Sequence, residues 1–181
     1  MDLSSVVKLA VSVLAAFAAA GIGSLFTFRA IPTWYAGLKK PPYTPSNWAF
    51  GPVWTTLYIL MAISVFLVWQ TGLDSGNAQL AFILFWVQLA ANALWSIIFF
   101  GLKSKGGGVA TIAVLWLLIL ATIVASFQAS AWAGALLIPY IVWVSIASYL
   151  NIGVWLLNKP VRELPPADHL PLQQRLNTKS K

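Results

Sequence analysis

The sequence predicts an all-α integral membrane protein, a bundle of five transmembrane helices. Three observations carry that prediction. Of 181 residues, 60% are hydrophobic and only 8% charged, with a mean hydropathy of +0.82. A water-soluble chain of this length needs far more charge on its surface. The charges also fall in a few places and cut the chain into uncharged apolar runs, and about 20 apolar residues suffice for one helical crossing. Finally, the basic residues segregate. With five crossings, the N-terminus and the second and fourth loops carry only Lys8. The first and third loops and the C-terminal tail carry Arg29, Lys39, Lys40, Lys103, Lys105, Lys159, Arg162, Arg175, Lys179 and Lys181. The positive-inside rule places that second side, and with it the C-terminus, in the cytoplasm.

The first span runs from about Leu9 to Phe28, between Lys8 and Arg29. Its length exceeds the roughly 7–15 apolar residues of a cleavable signal, so the span is expected to be retained despite the small residues Ala18, Ala19 and Ala20. Ala15, Ala19 and Gly23 recur every four residues, a spacing that lets another helix approach closely, either within the bundle or across a dimer. The first loop, Arg29 to Asn47, carries Trp34, Tyr35, Lys39, Lys40, Pro41, Pro42 and Pro45. Prolines limit what such a loop loses on ordering. It reads as a lid above the bundle or as a segment resting on lipid headgroups. Lys39 and Lys40 suit the carboxylates of an amphiphilic ligand, or those headgroups.

The second span covers about Ala49–Gln70 and the third about Gln79–Gly101. No charge lies between Lys105 and Lys159, a stretch long enough for two crossings. A turn at Ser126–Ala131 divides it into spans of about Val109–Ala125 and Trp132–Leu157. Gly106, Gly107 and Gly108 give the chain freedom to reverse before the fourth span. Residues 1–158 thus form one transmembrane domain. Residues 159–181, with Pro160, Pro165, Pro166 and Pro171, are expected to be a mobile, basic cytoplasmic tail.

Much chemistry is excluded. Cysteine is absent, which removes disulfides and thiolate metal sites. The only histidine, His169, is in the tail, and the methionines are Met1 and Met61, so ordinary haem ligation within the bundle has no residues to use. Asp2, Asp74, Glu163 and Asp168 all fall outside the spans. That leaves no carboxylate relay and no acid–base pair in the membrane. No metal site and no required cofactor are expected. The net charge of +7 flanks the spans and reads as topology and lipid contact, with no nucleic-acid partner. No internal repeat supports an inverted-repeat transporter.

Aromatic faces, amides and hydroxyls remain. Asn92, Trp95, Ser96 and Phe99 share one face of the third span. An asparagine amide at that depth needs a partner, which makes it either an interhelical link or a polar anchor in an aromatic pocket. The second span adds Trp54 and Tyr58, and the fifth adds Pro139, Trp143, Ala147 and Asn151. Three such stripes on separate helices point to a shared cavity. Of the ten tryptophans, Trp34, Trp48, Trp69, Trp132 and Trp155 lie near span ends, where indoles favour the interface. Trp86 and Trp116 could face lipid or protein. Trp54, Trp95 and Trp143 lie deeper and are the better candidates for ligand contact.

These residues also resemble a known family. Trp34-Tyr35-Ala36-Gly37-Leu38-Lys39-Lys40-Pro41, with Pro45, Phe50, Trp54 and Tyr58, is similar to the first loop and second helix of the TspO/translocator protein family. Asn92-Ala93-Leu94-Trp95-Ser96 with Phe99-Phe100 resembles its third helix. Pro139-Tyr140, Trp143, Ala147 and Leu150-Asn151 resemble its fifth. The resemblance covers about residues 5–158. It implies a five-helix bundle, often a homodimer, whose cavity is closed by the first loop and binds porphyrins, notably protoporphyrin IX. Tyr35, Trp54, Asn92 and Trp143 match its ligand contacts. It implies a receptor or sensor, alongside passive transport of porphyrin or lipid. Some bacterial members degrade protoporphyrin in light, and Trp54 and Trp143 look like the tryptophans concerned. The sequence departs from the cholesterol motif, because no basic residue follows Asn151 before Lys159.

Overall fold

The computed structural model describes residues 2–159. Among the described residues six α-helices make five spans long and apolar enough to cross a membrane. They are α1 (Leu3–Ala30), α2 (Asn47–Gln70), α3 (Gly76–Ser96), α4 (Lys105–Ala129), α5 (Ala131–Leu136) and α6 (Ile138–Leu157). The expected tail from residue 160 on lies outside the described residues.

Four of the six helices, α1, α3, α4 and α5, start where a side chain satisfies a free N–H group of the first turn. Asp2 accepts from the Ser5 backbone N–H, so α1 begins well before Leu9. The bonds from Ser5 also hold the Asp2 carboxyl below the usual carboxylate range. Lys8 therefore lies inside α1, and its Nζ donates at 3.3 Å to the Trp69 carbonyl at the end of α2. Ser75 and Ser104 cap α3 and α4 in the same way as Asp2. The cap at Ser104 overturns the expected reversal at Gly106–Gly108, for these glycines form the first turns of α4. Their missing side chains serve packing instead. A Cβ on Gly108 would lie 2.5 Å from Phe99 and 2.6 Å from Asn151.

The first span runs on past its expected end and the third reaches its own, each through a wide π-type turn, Ile31–Tyr35 after α1 and Ile97–Gly101 after α3. Pro32 has no N–H to give a regular helical bond. Trp34 and Tyr35 consequently belong to the end of the first span, not to a free loop. The expected turn at Ser126–Ala131 shrinks to Ser130, whose hydroxyl accepts from Ala133 at 3.5 Å and caps α5. The fifth span is broken at Leu137, just before Pro139, and continues as α6.

In cross-section α1 touches α2 and α3, α3 packs on α4, and α4 meets α5 and α6, while α5 returns to α2. Small residues permit the α1–α3 contact. Ser12, Ala16, Ala19 and Gly23 are buried, and a Cβ on Gly23 would sit 3.1 Å from the Ser96 hydroxyl. Of the expected stripe, Ala19 and Gly23 are thus used inside the bundle, and Ala15 is half-buried. The outward faces of all the long helices are apolar, with Leu14, Leu25, Ile83 and Leu117 more than half exposed, as lipid contact requires.

Candidate functional site

A cavity of about 620 Å³ opens between α1, α2 and α3. From α1 come Gly21, Ser24 and Thr27, from α2 Phe50, Gly51, Trp54 and Tyr58, and from α3 Asn92, Trp95 and Ser96. Its size lies within the roughly 300–1,000 Å³ of pockets that hold small organic ligands. Among the described residues its lining carries no charged side chain. The lining residues Gly21 and Phe28 of α1 and Gly51 and Thr55 of α2 are exposed. The cavity therefore opens sideways, between α1 and α2, on the face turned to lipid. Gly21 and Gly51 keep that mouth wide, since a Cβ on either would meet nothing within 4 Å.

The wall is an aromatic cluster. Trp54 lies 5.7 Å from Tyr58 and 6.3 Å from Trp95, with rings tilted by 33° and 31°. Trp95 in turn stacks on Phe99 at 7° and 6.0 Å. Offset and edge contacts of this kind hold rings in fixed orientations and add roughly 0.5–1.5 kcal/mol per pair. Among the described residues the Trp95 indole N–H has no partner, so it is a buried donor beside the cavity.

Polar groups meet beneath these rings. Tyr58 Oη donates to Asn92 Oδ1 at 2.8 Å, and Asn92 Nδ2 donates to Tyr140 Oη at 2.8 Å. Tyr140 then donates to Gln88 Oε1 at 3.0 Å. Asn92 thus joins α2, α3 and α6 and also lines the cavity, so the two readings of this residue coincide. An interhelical bond in a membrane contributes only about 1 kcal/mol. The larger consequence is that the amide is held in one orientation.

Of the residues singled out in the sequence, Trp54, Tyr58, Asn92 and Trp95 lie together on this cavity. Tyr35 is buried behind it, edge-on to Phe99 and Phe100 at 6.3 and 5.9 Å. Ala147 is buried in the core. Trp143 borders a second, shallower groove between α2 and α6, with Pro52, Val53 and Pro139. It meets one lining residue of the main cavity, Phe50, edge-on at 5.8 Å. Thr27, Phe50, Ser96 and the glycines of the mouth were not singled out as ligand contacts. Phe50 stood in the second-helix motif and Ser96 on the Asn92 face, which was the available signal; nothing in the sequence marks Thr27.

The first loop does not cover this cavity. Only its ends, Ile31 with Pro32 and then Asn47, reach the lining, and between them the chain crosses to α6. Asn158 accepts from the Lys39 N–H at 3.0 Å and donates to the Lys39 carbonyl at 2.8 Å. Tyr149 donates to the Pro42 carbonyl at 3.1 Å. Lys40 lies 4.9 Å over the Tyr35 ring and donates to the carbonyls of Ala36 and Leu38. It closes the end of the first span. Trp34, half-buried and edge-on to Phe99 at 5.4 Å, is a packing residue as well as a span-end one. Trp48 and Trp132, 77% and 76% exposed, have the placement of interface anchors.

The fold and the cavity define a helical membrane protein of five spans that encloses an uncharged aromatic site. The TspO/MBR family model matches residues 10–156. The chain is 42% identical over 154 residues to the tryptophan-rich protein TspO of Archaeoglobus fulgidus, covering 85% of this chain and 99% of that one. It is 39% identical over 160 residues to protein CrtK of Rhodobacter capsulatus, covering 87% and 98%. Against the human translocator protein it is 38% identical over 135 residues, covering 74% and 80%. The chain belongs to the TspO/MBR family.

Proposed function

We propose that this protein is a membrane receptor or sensor whose cavity between α1, α2 and α3 holds a planar, largely apolar tetrapyrrole such as protoporphyrin IX. The observation that carries the reading is the Trp54–Tyr58–Trp95 wall around an uncharged cavity of about 620 Å³. Burial of ring surface would supply most of the affinity, at roughly 25 cal/mol per Å², and ring stacking would orient the ligand. The Trp95 N–H and the Tyr58–Asn92 pair would supply the few directional contacts. The names of relatives, tryptophan-rich sensory protein in Cereibacter sphaeroides and translocator protein in mammals, fit a membrane protein that senses or passes on a small molecule. Titration of purified protein with protoporphyrin IX, followed by quenching of tryptophan fluorescence, tests the reading.

One observation favours passive transfer as a second reading. The mouth lies on the lipid-facing side, where an apolar ligand dissolved in the bilayer would meet it. Flux of porphyrin across vesicles containing the protein separates transfer from binding alone. Light-dependent breakdown is a third activity open to the same site. An excited porphyrin activates oxygen or oxidises an adjacent indole by itself, and Trp54 and Trp95 are the indoles on the cavity wall.

A further inference from the structure

Gln88 lies one helical turn before Asn92 on α3 and is set back from the cavity, 1% exposed. It ends the chain of hydrogen bonds that starts at the cavity with Tyr58 and passes through Asn92 and Tyr140. Each tyrosine hydroxyl has a single proton to give, so the direction of one bond sets the direction of the next. Run the opposite way, Gln88 Nε2 would donate to Tyr140, Tyr140 to the Asn92 carbonyl, and the Asn92 amide to Tyr58. The Tyr58 proton would then be left over at the cavity.

Both directions make three bonds and leave equal numbers of donors and acceptors unspent, so they differ in where those groups lie. The direction found spends the Tyr58 proton and, among the described residues, leaves Gln88 Nε2 without a partner at the far end of the chain. The opposite direction would pair Gln88 Nε2, leave the Gln88 carbonyl unpaired and move the unspent proton to Tyr58. Asn92 keeps one uncommitted N–H either way, so the difference is felt at Tyr58. As the chain stands, that hydroxyl can offer only lone pairs to a ligand.

We propose that Gln88 and Tyr140 are positioning residues that hold Tyr58 as a hydrogen-bond acceptor, so that the cavity selects aromatic ligands bearing an N–H or O–H donor at that point over isosteres bearing a carbonyl. The inference rests on the cavity being an aromatic-ligand site. Gln88→Leu removes the acceptor that directs the Tyr140 proton. Tyr140 then turns its proton to Asn92, the amide reverses, and Tyr58 becomes a donor. A residue that touches no ligand thereby inverts the polarity of one that does.

The test uses carbazole and 9-fluorenone, planar tricycles of one outline, the first an N–H donor and the second a carbonyl acceptor. Their affinities are measured by tryptophan quenching on the full-length protein in detergent. The readout is the change in their ratio, because the Trp95 N–H is offered equally in every variant. Gln88→Leu is expected to lower the carbazole-to-fluorenone affinity ratio by about three- to tenfold, the worth of one hydrogen bond. Tyr140→Phe, which frees the Asn92 amide to turn, lowers it in the same direction and carries the test by itself. In a Tyr58→Phe background, Gln88→Leu leaves the ratio unchanged. Both ligands binding with an unaltered ratio in Gln88→Leu or in Tyr140→Phe overturns the inference alone. Failure of wild type to bind either tricycle overturns the aromatic-site reading and the inference with it.

Discussion

Asn158, at the end of α6, grips the backbone of Lys39 by both its N–H and its carbonyl, across 119 residues of sequence. Lys105 donates to the Asn158 carbonyl at 2.7 Å, so the first loop, the start of α4 and the end of α6 are tied at one point. The basic residues Lys39, Lys105 and Lys159 gather at this end, while Lys8 bonds to α2 at the other. The clamp makes the loop a strap over α6, and the cavity is left open on its α1–α2 side.

Asn158→Ala removes both strap bonds and is expected to cost about 1–2 kcal/mol. Hydrogen exchange should rise across residues 36–46 and stay unchanged in α3. Protection of those residues equal to wild type would show that Pro41, packed on Gly153, and the Tyr149 bond to Pro42 hold the strap without Asn158.

Packing predicts opposite outcomes at two glycines. Gly108→Ala drives a methyl into Phe99 and Asn151, and overpacking of this kind costs about 1–3 kcal/mol. Gly51→Ala meets nothing within 4 Å, and by relieving the helix of a glycine it should be neutral or gain about 0.5–1 kcal/mol. Thermal unfolding in detergent compares the two.

Gly51→Leu fills the mouth without disturbing the bundle. Ligand association should slow at least tenfold while the melting temperature stays at the wild-type value. Unaltered association would place the entry elsewhere.

Light offers another check. Under aerobic illumination, loss of bound protoporphyrin should slow severalfold in Trp54→Phe at saturating ligand, and be little changed in Trp143→Phe, whose ring lies off the cavity. Equal rates in all three proteins would leave Trp54 and Trp143 without a role in the chemistry.

Much of this was legible before any coordinates. Runs bounded by charge marked three spans and one stretch long enough for two more, because a charge inside the bilayer is too costly to leave unpaired. The face carrying Asn92, Trp95 and Ser96 followed from helical spacing alone. What stayed hidden depends on groups that hydropathy does not weigh. Asp2 and Ser104 extend α1 and α4 by capping, and Pro32 shapes the turn that keeps Trp34 and Tyr35 in the bundle. Whether Trp143 faces the cavity or the groove beside it turns on the order of helices around the bundle. A stripe on one helix does not reveal that order.

The central claim is that a planar tetrapyrrole binds against Trp54 and Asn92. It is tested most directly by titrating wild type, Trp54→Phe, Asn92→Ala and Trp143→Phe with protoporphyrin IX in detergent, following its absorbance. The account predicts saturable binding to wild type, a loss of about tenfold or more in Asn92→Ala and of severalfold in Trp54→Phe, and near wild-type affinity in Trp143→Phe. Wild-type affinity in both Trp54→Phe and Asn92→Ala would contradict it.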